Sequence, residues 1–336
     1  MGGRALKTVF TRRCNRAEFD DVSIEIINQL QKTFNKIGIP RFYNNKESFG
    51  DIDIVVSVEH YEKNMRLYIL DTFKPIEIFH NGNCWSFDYK ELQIDIITTS
   101  DKYFDSMLHY MSMNDLGNFI GRLAHGLGLK YGQESLFYEH QFKNMNIGTI
   151  LISQDYPKIY EFLGLDYSRW EKGFDELEDI FEYIATSKYF NWKMFQLDQL
   201  NKINRDRNAK RKSYMSFLEW IDANVADDAH EFEFAEDKTS YFMAINDAFP
   251  EAQLITEVRR LEYLRCRELY IQSKFNGGEV MRRFGLNGKA LGDALNDFKG
   301  YIIGDFETFE DYVITCNTED IYKDFGLYLK HVKQFE

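Results

Sequence analysis

Two short stretches set carboxylates among β-branched residues: Gly50-Asp-Ile-Asp-Ile-Val-Val56 and Gln93-Ile-Asp-Ile-Ile97. Both read as strands, because Ile and Val suit a pleated backbone and successive side chains alternate between its faces. Asp51 and Asp53, two apart, then share one face, while Ile52 and Ile54 share the other. Burying an unpaired carboxylate costs several kcal/mol or forces it to bind a proton, so the acidic face of these strands needs a reason. Asp51, Asp53 and Asp95 on neighbouring strands would form a hard-oxygen site of the kind that suits Mg²⁺, which keeps waters and takes its remaining ligands from phosphate. Two such ions about 3.5–4 Å apart activate a hydroxyl and stabilise leaving pyrophosphate in an in-line displacement. A lone Asp-x-Asp is also common in turns and other metal sites; the second strand with its central Asp95 favours the cation reading.

The surrounding pattern predicts the elements that carry these strands. Asn15 is an N-cap with Glu18 three residues later, and Phe19, Val22, Ile26, Ile27, Leu30, Phe34 and Ile37 recur at helical spacing until Gly38 closes the helix. A polar loop at 46–50 precedes a strand over 52–58, a short extended piece at Leu67–Leu70, a turn at Asn81-Gly82 and a strand over 92–98. Residues 103–127 read as helix, 129–156 as short extended pieces able to pair as a small sheet, and 156–163 as helix again. From about Asp175 onward the pattern is almost wholly helical, with Pro250 the only proline there. The expected class is α+β, with boundaries near residues 100 and 175.

Composition limits what such a chain does. Its 336 residues, 44% hydrophobic and 16% aromatic, suffice for two or three domains with real cores. No apolar run approaches the roughly 18 residues of a membrane span, and the start lacks the apolar core of a secretory signal, so a cytoplasmic protein with no membrane contact is expected. Cys14, Cys84, Cys266 and Cys316 lie far apart and fit no zinc pattern, which suggests free thiols in a reducing compartment. A net charge of −13 argues against non-specific wrapping of nucleic acid. Two basic clusters, Arg4–Arg16 and Asn201–Lys212, still allow a local footprint, and Ala226–Asp237 is strongly acidic. The alternative for the second basic cluster is a solvated helix face.

Pro40-Arg-Phe-Tyr-Asn-Asn-Lys-Glu-Ser-Phe-Gly-Asp-Ile-Asp53 resembles the active-site segment of the DNA polymerase beta superfamily of nucleotidyltransferases, family X DNA polymerases in particular. Phe42, Lys46, Glu47, Gly50, Asp51 and Asp53 fall on matching types, and Asp95 on the family's third carboxylate. The stretch from Asn15 to Leu30 resembles the helix before that site, whose arginine, here Arg16, reaches the triphosphate. The segments at 124–137 and 148–167 resemble a thumb-like subdomain, so the likeness spans roughly residues 12 to 170. It implies a nucleotidyltransferase (polymerase beta-like palm) fold over residues 1–100, a small α/β thumb-like subdomain over 101–175 and an all-helical domain over 176–336. It further implies catalysis by Asp51, Asp53 and Asp95 holding two Mg²⁺ ions, with Mn²⁺ able to substitute. Nucleotide contacts would come from Arg16, Ser48 and Gly50. Pro40-Arg41 and Asn44 replace the family's Gly-Ser and phosphate-binding arginine, so Arg41 and Lys46 become the substitutes for triphosphate contact. Asn118 and Arg122 have the spacing of the pair that faces the nascent base pair, although aligning on 124–137 puts Gly117 and Gly121 there instead. The family's separate amino-terminal lyase domain is not expected.

Residues 273–298 resemble the tail segment of CCA-adding tRNA nucleotidyltransferases, through Gly277, Gly278, Gly285, Gly288 and Gly292, with Glu279 as its acidic residue. Such a glycine-punctuated hairpin lets backbone approach a sugar-phosphate chain; a tightly packed helical hairpin that merely needs glycine is the alternative. Arg205, Arg207, Lys210, Arg211 and Lys212 would hold phosphates, with Tyr214 or Trp220 near enough to stack a base. The expected activity is Mg²⁺-dependent addition of nucleotides from nucleoside triphosphates to the 3′ hydroxyl of RNA or DNA, polymerase-like or of the tRNA 3′-end type. The alternative is transfer of a nucleotide to a protein or small-molecule acceptor, as a toxin or modifying enzyme would do.

Overall fold

The computed structural model describes residues 5–59, 64–225, 232–302 and 306–332. Arg4 of the first basic cluster and residues 226–231 of the acidic stretch lie outside them. Cα packing divides the chain into two compact units, the first of Met1–Glu139 and Thr149–Leu254, the second of His140–Gly148 and Ile255–Glu336.

The first unit opens with β1 (Cys14–Asn15) and α1 (Arg16–Leu30). The Asn15 side chain accepts from the Glu18 N–H at 3.0 Å and the Glu18 carboxylate accepts from the Asn15 N–H at 3.2 Å, so both orphan donors of the first turn are satisfied. Phe19, Val22, Ile26 and Leu30 form its buried stripe. The helix stops there rather than at Gly38. Ile37 belongs to β2 (Ile37–Gly38), a short strand that pairs antiparallel with Val55 and Val56. Next come β3 (Ser48–Phe49), which pairs with β1, then β4 (Ile52–Ser57) and α2 (Met65–Phe73). The extended piece expected at Leu67–Leu70 is therefore helical. Asn64 caps that helix and Met65, Ile69 and Phe73, one turn apart, are its buried face, while Leu67 and Leu70 point outward.

Hairpin β5 (Ile78–Asn81) and β6 (Cys84–Tyr89) turns at Gly82, whose φ of +61° lies in the left-handed region. With β7 (Leu92–Thr99) these strands make a five-stranded mixed sheet of order β2-β4-β7-β6-β5, in which only β4 and β7 run parallel. One face, carrying Ile52, Ile54, Val56, Ile94 and Ile96, packs on Ile26 of α1 and Ile69 of α2. On the other, Val55 and Ile97 pack on Phe104 and Met107 of α3 (Phe104–Met111). The helix expected over 103–127 is split between α3 and α4 (Leu116–Gly126), because Met113 and Asn114 take φ of 59° and 57°. Non-glycine residues in that region are strained and reverse the chain.

Beyond lies a three-stranded sheet of β8 (Leu129–Gly132), β9 (Ser135–Phe142) and β10 (Met145–Ser153), in the order β10-β9-β8. The region after it is helical: α5 (Tyr156–Phe162), α6 (Tyr167–Lys172), α7 (Leu177–Ala185), α8 (Lys202–Asn208), α9 (Lys212–Asn224) and α10 (Phe242–Ala248). Phe119 of α4, Phe181 of α7 and Phe217 of α9 form an aromatic core, with Phe119 and Phe217 ring centroids 4.4 Å apart.

The second unit contains α11 (Leu254–Lys274) from its second residue on, α12 (Gly277–Phe284), α13 (Gly288–Ile302), α14 (Phe309–Thr315) and α15 (Thr318–Val332), around Phe275, Phe298 and Phe325. Its hairpin tip, His140–Gly148, is joined to α11 by a 2.9 Å contact from His140 Nε2 to Glu262. The protein is thus α+β, an amino-terminal mixed sheet followed by a largely helical region. Among the described residues no helix is long and apolar enough to cross a membrane, and all four cysteines are free thiols.

Candidate metal centre

Parallel pairing of β4 with β7 sets Asp53 directly beside Asp95, and antiparallel pairing of β7 with β6 sets Ser86 beside Asp95 on the other side. Asp51, two residues before Asp53, completes the group. One carboxylate oxygen from each of the three lies within 4.8 Å of the others, with Asp51 and Asp53 half-buried and Asp95 buried. Their strand neighbours Ile52, Ile54, Ile94 and Ile96 are fully buried on the opposite face, so a one-residue slip in register would drive the carboxylates into the core. That conflict fixes the pairing.

Three like charges so close cannot all remain ionised without compensation. Burial, with Asp51 and Asp95 beside it, pushes the Asp53 carboxyl well above the usual carboxylate range, and the positive charges of Lys46 and Arg211 only partly oppose this. Burial and Asp51 push Asp95 up to about 7, against hydrogen bonds from Ser86 and Gln93. Gln93 Nε2 donates to both Asp95 oxygens, at 2.9 and 3.1 Å, and its own Oε1 accepts from the Ala5 N–H at 2.8 Å. The carboxylate is thereby held in one orientation.

Lys46 feels the charge of Asp51 and Asp53. Burial lowers its proton affinity while Asp51, Asp53 and Asp115 raise it; its Nζ lies 3.5 Å from Asn114 Oδ1 and 4.9 Å from the Phe49 ring centroid. Arg16 stands 4.7 Å from the Phe42 ring centroid, the ring that Lys46 approaches at 5.6 Å, and is paired with Asp20 at 3.0 Å. Ser48 accepts from Arg13 Nε at 2.8 Å, and Gly50 is the buried bend between β3 and β4. Arg41 is drawn to the carboxyl end of α6: it donates to the Trp170 and Glu171 carbonyls at 3.3 and 2.9 Å and lies over the Trp170 ring.

Asn118 and Arg122 share one face of α4. Asn118 Nδ2 donates to Asn208 Oδ1 at 3.3 Å, and the Arg122 guanidinium donates to the Met194 carbonyl at 2.7 and 3.2 Å, so both brace the helical region. Within the second basic cluster, Arg205, Arg207, Lys210 and Lys212 are exposed, whereas Arg211 is half-buried and ion-paired with Asp115. Tyr214 is fully buried, its hydroxyl donating to the Phe195 carbonyl at 2.6 Å. It is core, and is excluded as a base-stacking side chain; Trp220 is half-buried. Gly285 and Gly288 belong to the second unit, where their φ of +71° and +53° explain the glycines and a Cβ at either would meet nothing within 4 Å.

No protein-family model matches the chain, and no curated protein matches it. Whether a metal fits therefore rests on the donor set itself. Three carboxylates offer only oxygen, the ligand type of Mg²⁺ and Mn²⁺ rather than of a thiol-seeking metal. Two of them hold protons too firmly at their present burial, the condition a divalent cation relieves. The cluster could hold a metal ion.

Asp115, Gln93 and Arg13 are the contributors that sequence reasoning did not single out. Asp115 carries no motif. It is joined to Arg211 only by folding, and a buried Asp at the start of a helix is the one local signal available.

Proposed function

We propose that the first unit is a divalent-metal-dependent nucleotidyltransferase, adding nucleotides from nucleoside triphosphates to the 3′ hydroxyl of a nucleic acid. The observation that carries this reading is the carboxylate triplet, Asp53 and Asp95 on two parallel neighbouring strands and Asp51 just before the first of them, with the charge of Lys46 acting on it. The resemblance of residues 40–53 to the polymerase beta superfamily points the same way.

In the proposed reaction the acceptor oxygen forms a bond to the α-phosphorus, the α–β bridging P–O bond breaks, the hydroxyl proton passes to solvent water and pyrophosphate departs. Asp51, Asp53 and Asp95 would hold Mg²⁺, which when bound supplies positive charge at the phosphate oxygens and favours the ionised hydroxyl. Gln93 keeps Asp95 facing the other two carboxylates. Lys46, anchored over Phe42 and Phe49, offers a positive charge to the triphosphate, and Arg16, over the Phe42 ring, a second. Arg205, Arg207, Lys210 and Lys212, exposed along one segment, suit the phosphates of the acceptor.

The test is incubation with labelled nucleoside triphosphates and Mg²⁺ together with, separately, tRNA, primed DNA and protein acceptors. Metal-dependent label on a nucleic-acid 3′ end is the expected result. Label on protein alone would transfer the site to a modifying enzyme, and no label on any acceptor would remove the proposal.

A further inference from the structure

Arg211 stands apart from its basic neighbours. One guanidinium nitrogen is ion-paired with Asp115 Oδ1, and the other oxygen of that carboxylate accepts from the Ser213 hydroxyl. Asp115 is buried, whereas 30% of the Arg211 side chain remains exposed, so part of its donor fork is left for a ligand. The residue before Asp115 is Asn114, which Lys46 approaches at 3.5 Å. Asn114 is the second residue of the reversal between α3 and α4, and Asp115 follows it. Two cations distant in sequence, Lys46 and Arg211, thus contact adjacent residues, Asn114 and Asp115.

The segment that carries Arg211 is firmly seated. Asn118 bonds Asn208 on one side of it and Tyr214 packs 5.7 Å from Phe119 on the other. Outward, a cleft of about 260 Å³ opens along Lys210, Arg211, Lys212, Met215 and Ser216. Glu219 also lines this cleft, so its wall is of mixed charge, and Arg211 is tied from it through Asp115 to the neighbour of the residue that Lys46 approaches.

Resting on the nucleotidyltransferase reading, we infer that Arg211 is a phosphate-binding residue of the metal centre, and that Asp115, with Ser213, is the positioning residue that presents its guanidinium. The ligand chemistry is a phosphate group close to the reacting phosphorus, carried either by the incoming nucleotide or by the end of the acceptor strand. A guanidinium already held through one nitrogen loses less freedom on meeting such a group, which is the advantage of preorganisation.

The test compares wild-type protein with Arg211→Gln, Asp115→Asn and the double variant. Equilibrium titrations are made with a nucleoside triphosphate bearing a non-hydrolysable α–β linkage and, separately, with a fluorescent single-stranded oligonucleotide, both with Mg²⁺. Thermal melting accompanies each variant. Arg211→Gln is expected to weaken one ligand by about tenfold or more, and the affected ligand names the source of the phosphate. Asp115→Asn should weaken the same ligand by less. The double variant removes both charges of the buried pair, so its melting temperature should recover relative to the single variants while its affinity stays low. Recovery of affinity along with stability, or equal affinity in all four proteins, would overturn the inference. Absence of any binding by the wild type would instead sink the underlying nucleotidyltransferase reading.

Discussion

Asp53 and Asp95 are held against their own chemistry, and the consequences are measurable residue by residue. In metal-free protein the folded state binds a proton at Asp95 up to about pH 7, whereas an unfolded Asp releases it near 4. Between those values the folded state carries more bound protons, so stability falls as pH rises through this window. The full effect is on the order of 4 kcal/mol at most. Melting in EDTA at pH 5 and pH 8 should show the lower melting temperature at pH 8, and Asp95→Asn should flatten that difference. Adding Mg²⁺ should raise the melting temperature at pH 8 far more than at pH 5, because binding must displace protons at the lower pH. Equal responses at both values would count against the cluster as the binding site. Asp51→Asn, Asp53→Asn or Asp95→Asn should each abolish transfer while leaving the fold intact, since each relieves like-charge crowding as it removes an oxygen ligand. Near-normal turnover in any of the three would unseat the assignment.

At the scale of elements, the site depends on how closely α3 and α4 approach. A Cβ built at Gly117 would land on the Tyr110 carbonyl oxygen, whereas one at Gly121 would lie 3.4 Å from the Tyr131 carbonyl oxygen, at the edge of ordinary contact. Gly117→Ala should therefore destabilise the protein by about 1–3 kcal/mol, and Gly121→Ala by much less, in denaturant unfolding. Because Asp115 lies two residues before the first of these glycines, Gly117→Ala should also weaken whatever ligand Arg211 contacts.

The elements also explain what could be read from the chain. The β4 and β7 strands, and the gathering of Asp51, Asp53 and Asp95, were legible because alternation and β-branching leave few alternatives for an Asp between two Ile residues. The carboxyl end of α1 was not. Phe34 and Ile37 continue a helical spacing, yet one is buried just after the turn that follows α1 and the other pairs with Val56. Leu67 and Leu70 misled for the opposite reason: they are the exposed apolar residues of a helix whose buried face is Met65, Ile69 and Phe73. The reversal at Met113 and Asn114 carries no glycine to announce it, and the Asp115–Arg211 pair spans the chain between two helices that only packing brings together.

Over the whole molecule, a net charge of −13 leaves any nucleic-acid contact to local patches. Substituting Arg205, Arg207, Lys210 and Lys212 together by Gln, with Arg211 retained, should weaken oligonucleotide binding without affecting nucleotide binding. For single strands the slope of log affinity against log salt should flatten by roughly three units, at about 0.7 for each phosphate that is no longer neutralised. Fluorescence anisotropy across a salt series reads this directly. An unchanged slope would return those four residues to a solvated helix face and turn attention to a protein or small-molecule acceptor. In the second unit, Gly285→Ala places a side chain at φ +71°, which should lower stability by about 1–2 kcal/mol. A fall in acceptor binding beyond that explained by unfolding would mark a backbone approach there.

The central claim is that Asp51, Asp53 and Asp95 hold the divalent ion at which nucleotidyl transfer takes place. Isothermal titration of Mn²⁺ into metal-free protein at pH 8, with a nucleoside triphosphate bearing a non-hydrolysable α–β linkage present, tests it most directly. Saturable binding by the wild type, weakened about tenfold or more in Asp53→Asn, is the predicted result. Mn²⁺ binding of equal strength in the two proteins, or no saturable binding in the wild type, would contradict it.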